Sequence, residues 1–400
     1  MDFRDTPEEA AFRKEVRDWL EQNLGEEFQT SRFSVGPEAD ERVDVLKAWQ
    51  RKLHEGGWAG VSWPKEYGGR GASLIEQAIF YQEMARAKAP SPINVIGIGM
   101  AGPTIIAHGT EAQKQRYLSK ILSGEEIWCQ GFSEPGAGSD LAALRSTAVE
   151  DGDHYVINGQ KVWTTLAHLA KDGGHCIFVA RTDPEAPKHQ GLSYFLVDMT
   201  SPGIEVRPLV QITGTPEFNE MFLTDVRVPK ENMLGKPGDG WRIAMTTLMH
   251  ERGTLGFALS VQARIALDGL VQLARETKRH GKPAIEDSGI RQRIAQLHVE
   301  VEAMRLNNYR GLSTTIKTGI PGPEGSLGKL LWSEAVKRMT DLAVELLGPE
   351  GLLLSSKTNE SVARWQFAHL RARGHTIEAG TSEILRNIIA ERVLGLPRHK

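Results

Sequence analysis

The apolar positions of this chain change their period twice. Phe12, Val16, Trp19, Leu20 and Leu24 recur at helical spacing behind Thr6-Pro7-Glu8-Glu9. In that start Thr6 can cap, Pro7 takes the first helical position and Glu9 the third. Residues 42–54 continue in helix and Gly56-Gly57 ends it. Capping boxes at Ser73-Leu74-Ile75-Glu76 and Thr110-Glu111-Ala112-Gln113 open helices reaching about residues 88 and 122. Before the first of these boxes Gly68-Gly69 reads as a packed turn, not a phosphate loop, because no strand frames it as a nucleotide loop would need. From His154 the period falls to two. Residues 154–157 and 161–164 flank Asn158-Gly159, which predicts a hairpin. Residues 175–181, 192–199, 204–210 and 220–228 predict strands, separated by Pro, Gly and Asp. From Asp239 the pattern is helical again. One long helix is predicted over residues 241–278, then a loop at 281–289, then helices near 290–316, 324–347 and 382–394. The predicted fold class is mainly α with a central β-domain: an N-terminal helical domain (1–124), a small β-barrel or sheet domain (125–236) and a C-terminal helical bundle (237–400).

Composition narrows the partners. The chain has 400 residues, 40% hydrophobic and 25% charged, the balance of a globular protein of more than one domain. A net charge of −3 argues against nucleic acid or an anionic membrane as partner. No apolar run is read as approaching the roughly 20 residues of a membrane span. The acidic, helix-forming start at Met1-Asp2-Phe3-Arg4-Asp5 is unlike a leader, so the cytoplasm is the expected location. Cys129 and Cys176 lie in apolar, strand-like runs and read as buried thiols of a reducing compartment. His250, His280 and His375 are scattered without ligand spacing and read as polar fillers, so no metal site is expected.

Two stretches carry candidate chemistry. Ser133-Glu134-Pro135-Gly136-Ala137-Gly138-Ser139-Asp140 is a run of turn-forming and small residues with hydroxyls at both ends. Such a backbone can wind tightly and approach a ligand closely. Lys161-Val162-Trp163-Thr164-Thr165 adds one large flat ring and two hydroxyls. Together they suit a planar, phosphate-bearing cofactor such as a flavin nucleotide; read singly, each is an ordinary surface turn.

Cys129-Gln130-Gly131-Phe132-Ser133-Glu134-Pro135-Gly136-Ala137-Gly138-Ser139-Asp140, followed by Asn158-Gly159-Gln160-Lys161-Val162-Trp163-Thr164-Thr165, resembles the signature of the acyl-CoA dehydrogenase flavoproteins. The resemblance runs from the first helices to Ile384-Leu385-Arg386-Asn387. It implies the helix–sheet–helix fold, FAD, an acyl-CoA substrate oxidised to the trans-2-enoyl-CoA, electrons passed to an electron-transferring flavoprotein, and a homotetramer or homodimer. It further implies that Gln130, Phe132, Ser133, Gly138 and Ser139 lie along the flavin and pyrophosphate, that Trp163 stacks beside the ring and that Thr165 reaches its N5 edge. Gln292, Thr381 and Glu383 would contact the adenine half of a neighbouring subunit's FAD, and Ser139 and Arg252 would contact substrate.

For the base the family offers two places. Most members carry Glu directly before the Gly-Thr pair near the C-terminus; the isovaleryl-CoA and long-chain types carry it on an earlier helix, directly before Arg. Here Ala379 precedes Gly380-Thr381 and Glu251 precedes Arg252. The resemblance therefore gives the base to Glu251 and leaves Ala379 its backbone N–H for the thioester carbonyl. Glu378, one residue off the usual position, is expected to be structural and its replacement to change proton removal little. The sequence departs from the family at Thr277 and His280, where many members have Arg and Phe, and at Gly348-Pro349-Glu350-Gly351. An O2-using acyl-CoA oxidase, or a non-catalytic subunit completing another chain's FAD site, are the alternative readings.

Overall fold

The computed structural model describes residues 4–28, 39–251, 255–318, 322, 325–353 and 360–397. Helices α1 (Pro7–Asn23) and α2 (Ala39–Glu55) come first, then α3 (Leu74–Arg86), α4 (Gly102–His108) and α5 (Glu111–Ser123). Thr6, Ser73 and Thr110 each form the reciprocal capping box predicted for them. The β-rich segment holds β1 (Trp128–Gly131), β2 (Thr147–Asp151), β3 (His154–Thr165), the short helix α6 (Ala167–Ala170), β4 (His175–Arg181), β5 (Leu192–Asp198), β6 (Ile204–Leu209), β7 (Phe218–Pro229) and β8 (Met233–Leu234). Helices return with α7 (Gly240–Glu251) and α8 (Leu255–Glu276). A two-residue hairpin, β9 (Lys278–Arg279) and β10 (Lys282–Pro283), precedes α9 (Ser288–Thr318), α10 (Gly325–Leu347), α11 (Glu360–His375) and α12 (Ser382–Ile388). The architecture is a mixed central sheet with helical N- and C-terminal parts.

By contacts the chain forms two compact units. The first comprises residues 1–35, 73–90 and 252–400; the second comprises 36–72 and 91–251. In the first, α8, α9, α10 and α11 bury a core including Leu267, Leu270, Leu297, Met304, Trp332, Met339 and Trp365. α8 is long and apolar enough to cross a membrane by composition, contrary to the sequence reading. Its Ala263, Leu267, Leu270 and Ala274 are packed in that bundle core. α1 is tied to α3 by Arg13 and Arg17, both donating to the buried Glu83 carboxylate.

In the second unit the sheet runs β6-β7-β3-β2-β4-β5-β8, with β1 pairing β4 in parallel. Cys129 and Cys176 stand opposite each other on these two strands, buried and unbridged. Two wholly buried amides fix where β1 begins. Gln50 donates to the Ile121 and Leu122 carbonyls, and Asn94 donates to those of Ile121 and Glu126 while accepting from Trp128 N at 2.8 Å.

Two further sequence expectations change. Asn158-Gly159 makes no hairpin: β3 runs straight through it for 12 residues. The turn falls instead between Asp151 and His154, which pair across β2 and β3 with Gly152 at φ +60°. Gly159 is needed for close approach, since a Cβ there would lie 2.1 Å from Ser146 Oγ. The predicted helix 241–278 is helix on both sides of 252–254, which lie outside the described residues. Finally, α11 was not predicted; its buried face, Trp365, Ala368 and Ala372, is small and sparse, with a weak apolar period.

Candidate active site

In the second unit the stretch after β1 is held by one buried ion pair. Glu134 and Ala137 exchange both backbone hydrogen bonds, which closes the small-residue turn, and Ser133 O accepts from Val162 N at 2.9 Å. Glu134 accepts from the Arg145 and Ser146 amides at 2.6 and 2.9 Å. Its Oε1 also accepts from Lys161 Nζ at 2.9 Å. Lys161 is 0% exposed, and its ammonium donates further to Phe132 O and Val179 O at 3.1 and 2.9 Å. Three donors meet three acceptors, so the buried charge is satisfied. Burial pulls the Lys161 ammonium below its ordinary value, with Glu134 opposing. Burial raises the Glu134 carboxyl, but Lys161 and the amide donors outweigh it and hold it low.

Beyond Lys161 the pairing of β3 with β7 shifts register before Thr164, and Trp163 sits in that irregularity at φ +60°. A bulge re-aims a side chain. Trp163 is 59% exposed, its ring edge-on to Phe218 at 6.1 Å, whereas its neighbour Thr164 is buried. Ideal Cβ atoms at Gly136 and Gly138 would meet nothing within 4 Å, so the turn presents bare backbone. Asp140 is drawn aside by Lys188.

α7 is anchored by a buried hydroxyl cluster. Thr247 Oγ1 lies 3.0 Å from both Tyr194 OH and Thr104 Oγ1, and the Tyr194 ring meets Phe132 edge-on at 5.9 Å. Glu251, the last residue of α7, stands one turn beyond Thr247; its side chain, and Arg252 altogether, lie outside the described residues.

In the first unit, residues 376–381 link α11 to α12. Arg371 donates to Glu378 Oε2 at 2.8 Å, and His375 Nδ1 donates to Glu378 Oε1 at 2.6 Å. Burial alone would raise the Glu378 carboxyl, but the His375 hydrogen bond and the Arg371 guanidinium hold it down at about 2. Burial also pulls the His375 imidazole below its ordinary value. Ala379 follows at φ +52° and Gly380 at φ +95°. Lys329 donates to Gly380 O at 2.8 Å, Ser382 N to Thr376 O at 2.9 Å, and Ser382 Oγ to Glu334 at 2.8 Å.

The second unit thus brings together Phe132, Ser133 and the Lys161–Thr165 end of β3, with Gln130 on β1 leading in. Ser139 is exposed and Gly138 lies on the open part of the turn. The first unit groups Ala379, Thr381 and Glu383. Thr381 caps α12 by accepting from Ile384 N, and Glu383 is exposed beside Arg386. Gln292 lies exposed in the second turn of α9. Sequence reasoning missed the roles of Glu134, Lys161, Tyr194, Thr247 and Arg371. Glu134 and Lys161 stood inside the quoted motifs, a charged residue in each, and that was the available signal. His375 is no filler: it is 2% exposed and holds Glu378.

An indole kept at the surface beside a backbone wound from small residues is a surface for a flat, phosphate-bearing ring, and the protein is a flavin-dependent oxidoreductase. Family models described as the acyl-CoA dehydrogenase N-terminal, middle and C-terminal domains match residues 6–125, 129–226 and 238–394. The chain is 44% identical over 389 residues to acyl-CoA dehydrogenase IpdE1 of Mycobacterium tuberculosis, covering 97% of each. Among solved structures it is similar to the ChsE4–ChsE5 complex of the same organism, with a TM-score of 0.83, 32% identity and full coverage of both chains. It is equally similar to the Tcur3481–Tcur3483 steroid ACAD, with a TM-score of 0.83 and 31% identity over the whole of both. The chain belongs to the acyl-CoA dehydrogenase family, with FAD as its cofactor. The residues present fit that group: the exposed Trp163 ring, the open backbone at Gly136 and Gly138 and the hydroxyls of Ser133, Ser139 and Thr165 offer a flat face and uncharged donors.

Proposed function

We propose that the protein oxidises an acyl-CoA thioester to its trans-2-enoyl-CoA with Glu251 as the α-proton base and the Ala379 N–H on the thioester carbonyl oxygen. FAD, when bound, supplies the hydride acceptor for the β-carbon. Glu251 takes the α-proton, and the negative charge that grows on the thioester oxygen meets the Ala379 N–H. The observation that carries this reading is the state of Glu378. Both its oxygens are taken by Arg371 and His375, which hold it at about 2 and disfavour it as a base for a carbon acid; this supports the alternative position at Glu251. Ser139 and Arg252 serve as substrate contacts. Gln130, Phe132, Ser133, Gly138, Ser139, Trp163 and Thr165 line the flavin, and Gln292, Thr381 and Glu383 meet the adenine half in a homo-oligomer.

Electrons leave to an electron-transferring flavoprotein. The acyl group is bulky and steroid-like, a reading supported by the solved steroid ACAD that the whole chain matches. A panel of straight, branched and steroid-type thioesters added anaerobically tests it: the steroid-type ones bleach the flavin fastest. Bleaching by none of them contradicts the dehydrogenase reading. Reoxidation by dioxygen as fast as by an electron-transferring flavoprotein favours an oxidase. Light scattering of the purified chain reads the assembly, and a stable complex only with a second, different chain overturns the homo-oligomer.

A further inference from the structure

We propose that Glu378 is a positioning residue for this reaction: clamped by Arg371 and His375, it holds the following peptide so that the Ala379 N–H points at the thioester oxygen. The inference rests on the proposed role of that N–H. Ala379 at φ +52° is in a region a residue with a Cβ rarely adopts. Such a conformation persists only where its surroundings over-determine it. Here they do, from both sides. The Glu378 carboxylate is gripped at both oxygens by side chains one and two turns back on α11, and Glu378 N donates to Gly374 O at 3.0 Å. After Ala379, Lys329 takes Gly380 O and Ser382 N takes Thr376 O. Among the described residues no backbone acceptor takes the N–H of Ala379, nor those of Gly380 and Thr381, whereas Glu378 N before them and Ser382 N after them are both paired. A strained peptide, tied at each end and with its donor free, is built to present that donor.

A purely structural carboxylate would leave the donor's aim unchanged when replaced. A positioning one would not, and the sequence-based expectation of little effect is revised accordingly. Glu378→Gln keeps size but lets go of the guanidinium and imidazole as a charged pair. Flavin reduction is expected to fall about tenfold, part of the roughly 10²–10³ that losing one oxyanion donor costs. Its pH profile should keep the wild-type shape, because the base lies elsewhere, and kcat should fall more than KM rises.

The direct readout is the infrared stretch of a ¹³C=O-labelled enoyl-CoA product, made from whichever thioester the wild type oxidises, bound to the FAD-loaded protein. Wild type shifts the stretch down on binding, and Glu378→Gln loses about half of that shift, since hydrogen bonds weaken steeply with misalignment. Glu378→Asp, which keeps the charge on a shorter stem, restores part of it. If Glu378→Gln fails to hold FAD, Arg371→Lys reads the same quantity, keeping the charge and losing the fork. A full wild-type shift in Glu378→Gln or in that substitute overturns the proposal alone. No shift in wild type overturns the role of the Ala379 N–H, and the proposal with it.

Discussion

At Trp163 and at Ala379 the backbone enters the left-handed region, at φ +60° and +52°, and each site is braced by a carboxylate that is itself fully engaged. In the second unit Glu134 reaches 27 residues along the chain to Lys161, joining the small-residue turn to β3 and, through Val179, to β4. In the first unit the brace is local, with Arg371 and His375 only seven and three residues from Glu378. The burial differs as well: the Lys161 and Glu134 side chains are 0% and 8% exposed, whereas Glu378 keeps 31%. A long-range, dry pair is part of the sheet's fold, and breaking it leaves a buried charge without its partner. In the local pair only the carboxylate keeps some solvent contact, and on the proposed reading it also aims a peptide, so breaking it changes geometry as well as stability. On that reading the same device serves the fold in one place and the chemistry in the other.

That contrast can be broken most severely at Lys161. Lys161→Met strands the Glu134 carboxylate and should cost about 3–5 kcal/mol of stability along with FAD retention, read by thermal melting and flavin absorbance. A melt within about 0.5 kcal/mol of wild type would remove the distinction between the two braces.

Acid gives a smaller, signed effect. The Glu378 carboxyl sits at about 2 in the folded protein against an ordinary 4.5, so its contribution is present above 4.5 and fades as the pH falls toward 2. That contribution is roughly 3–4 kcal/mol before solvent screening reduces it. Glu378→Gln should therefore show a flatter loss of stability than wild type between pH 4.5 and 2 in denaturant titrations. Equal slopes would mean that the pair with Arg371 and His375 does not hold the carboxyl down.

Smallest are the single hydroxyls. Ser139→Ala and Thr165→Ala should each weaken FAD by about 1 kcal/mol, or several-fold in Kd, without moving the melting point of the apoprotein. Fluorescence titration with FAD reads this directly, and unchanged affinity in both would take those side chains off the flavin.

What the sequence made legible follows the reach of each interaction. Capping boxes at Thr6, Ser73 and Thr110 are decided within four residues, and all three formed as read. Strands β4 to β7 declared themselves as short β-rich runs separated by Pro, Gly and Asp. The candidate flavin surface was legible because Ser133, Trp163 and Thr165 sit in two long motifs. Asn158-Gly159 misled because its local preference for a turn lost to the pairing of β3 with β7, and its real constraint, Ser146 just before β2, is a tertiary contact. The Glu134–Lys161 pair and the Thr104–Thr247–Tyr194 cluster depend on which strands and helices become neighbours, and no local pattern encodes that. Glu378 was read as structural from its one-residue offset; that Arg371 and His375 grip it could be seen only once α11 had formed.

The central claim is that the base is Glu251 and that Glu378 only positions, and anaerobic stopped-flow bleaching of the flavin by the best thioester tests it most directly. Glu251→Gln should keep FAD and bind thioester nearly as wild type does, yet slow reduction by roughly 10²–10⁴. Glu378→Gln should slow it about tenfold. Reduction at the wild-type rate in Glu251→Gln, with Glu378→Gln stalled, would contradict the account.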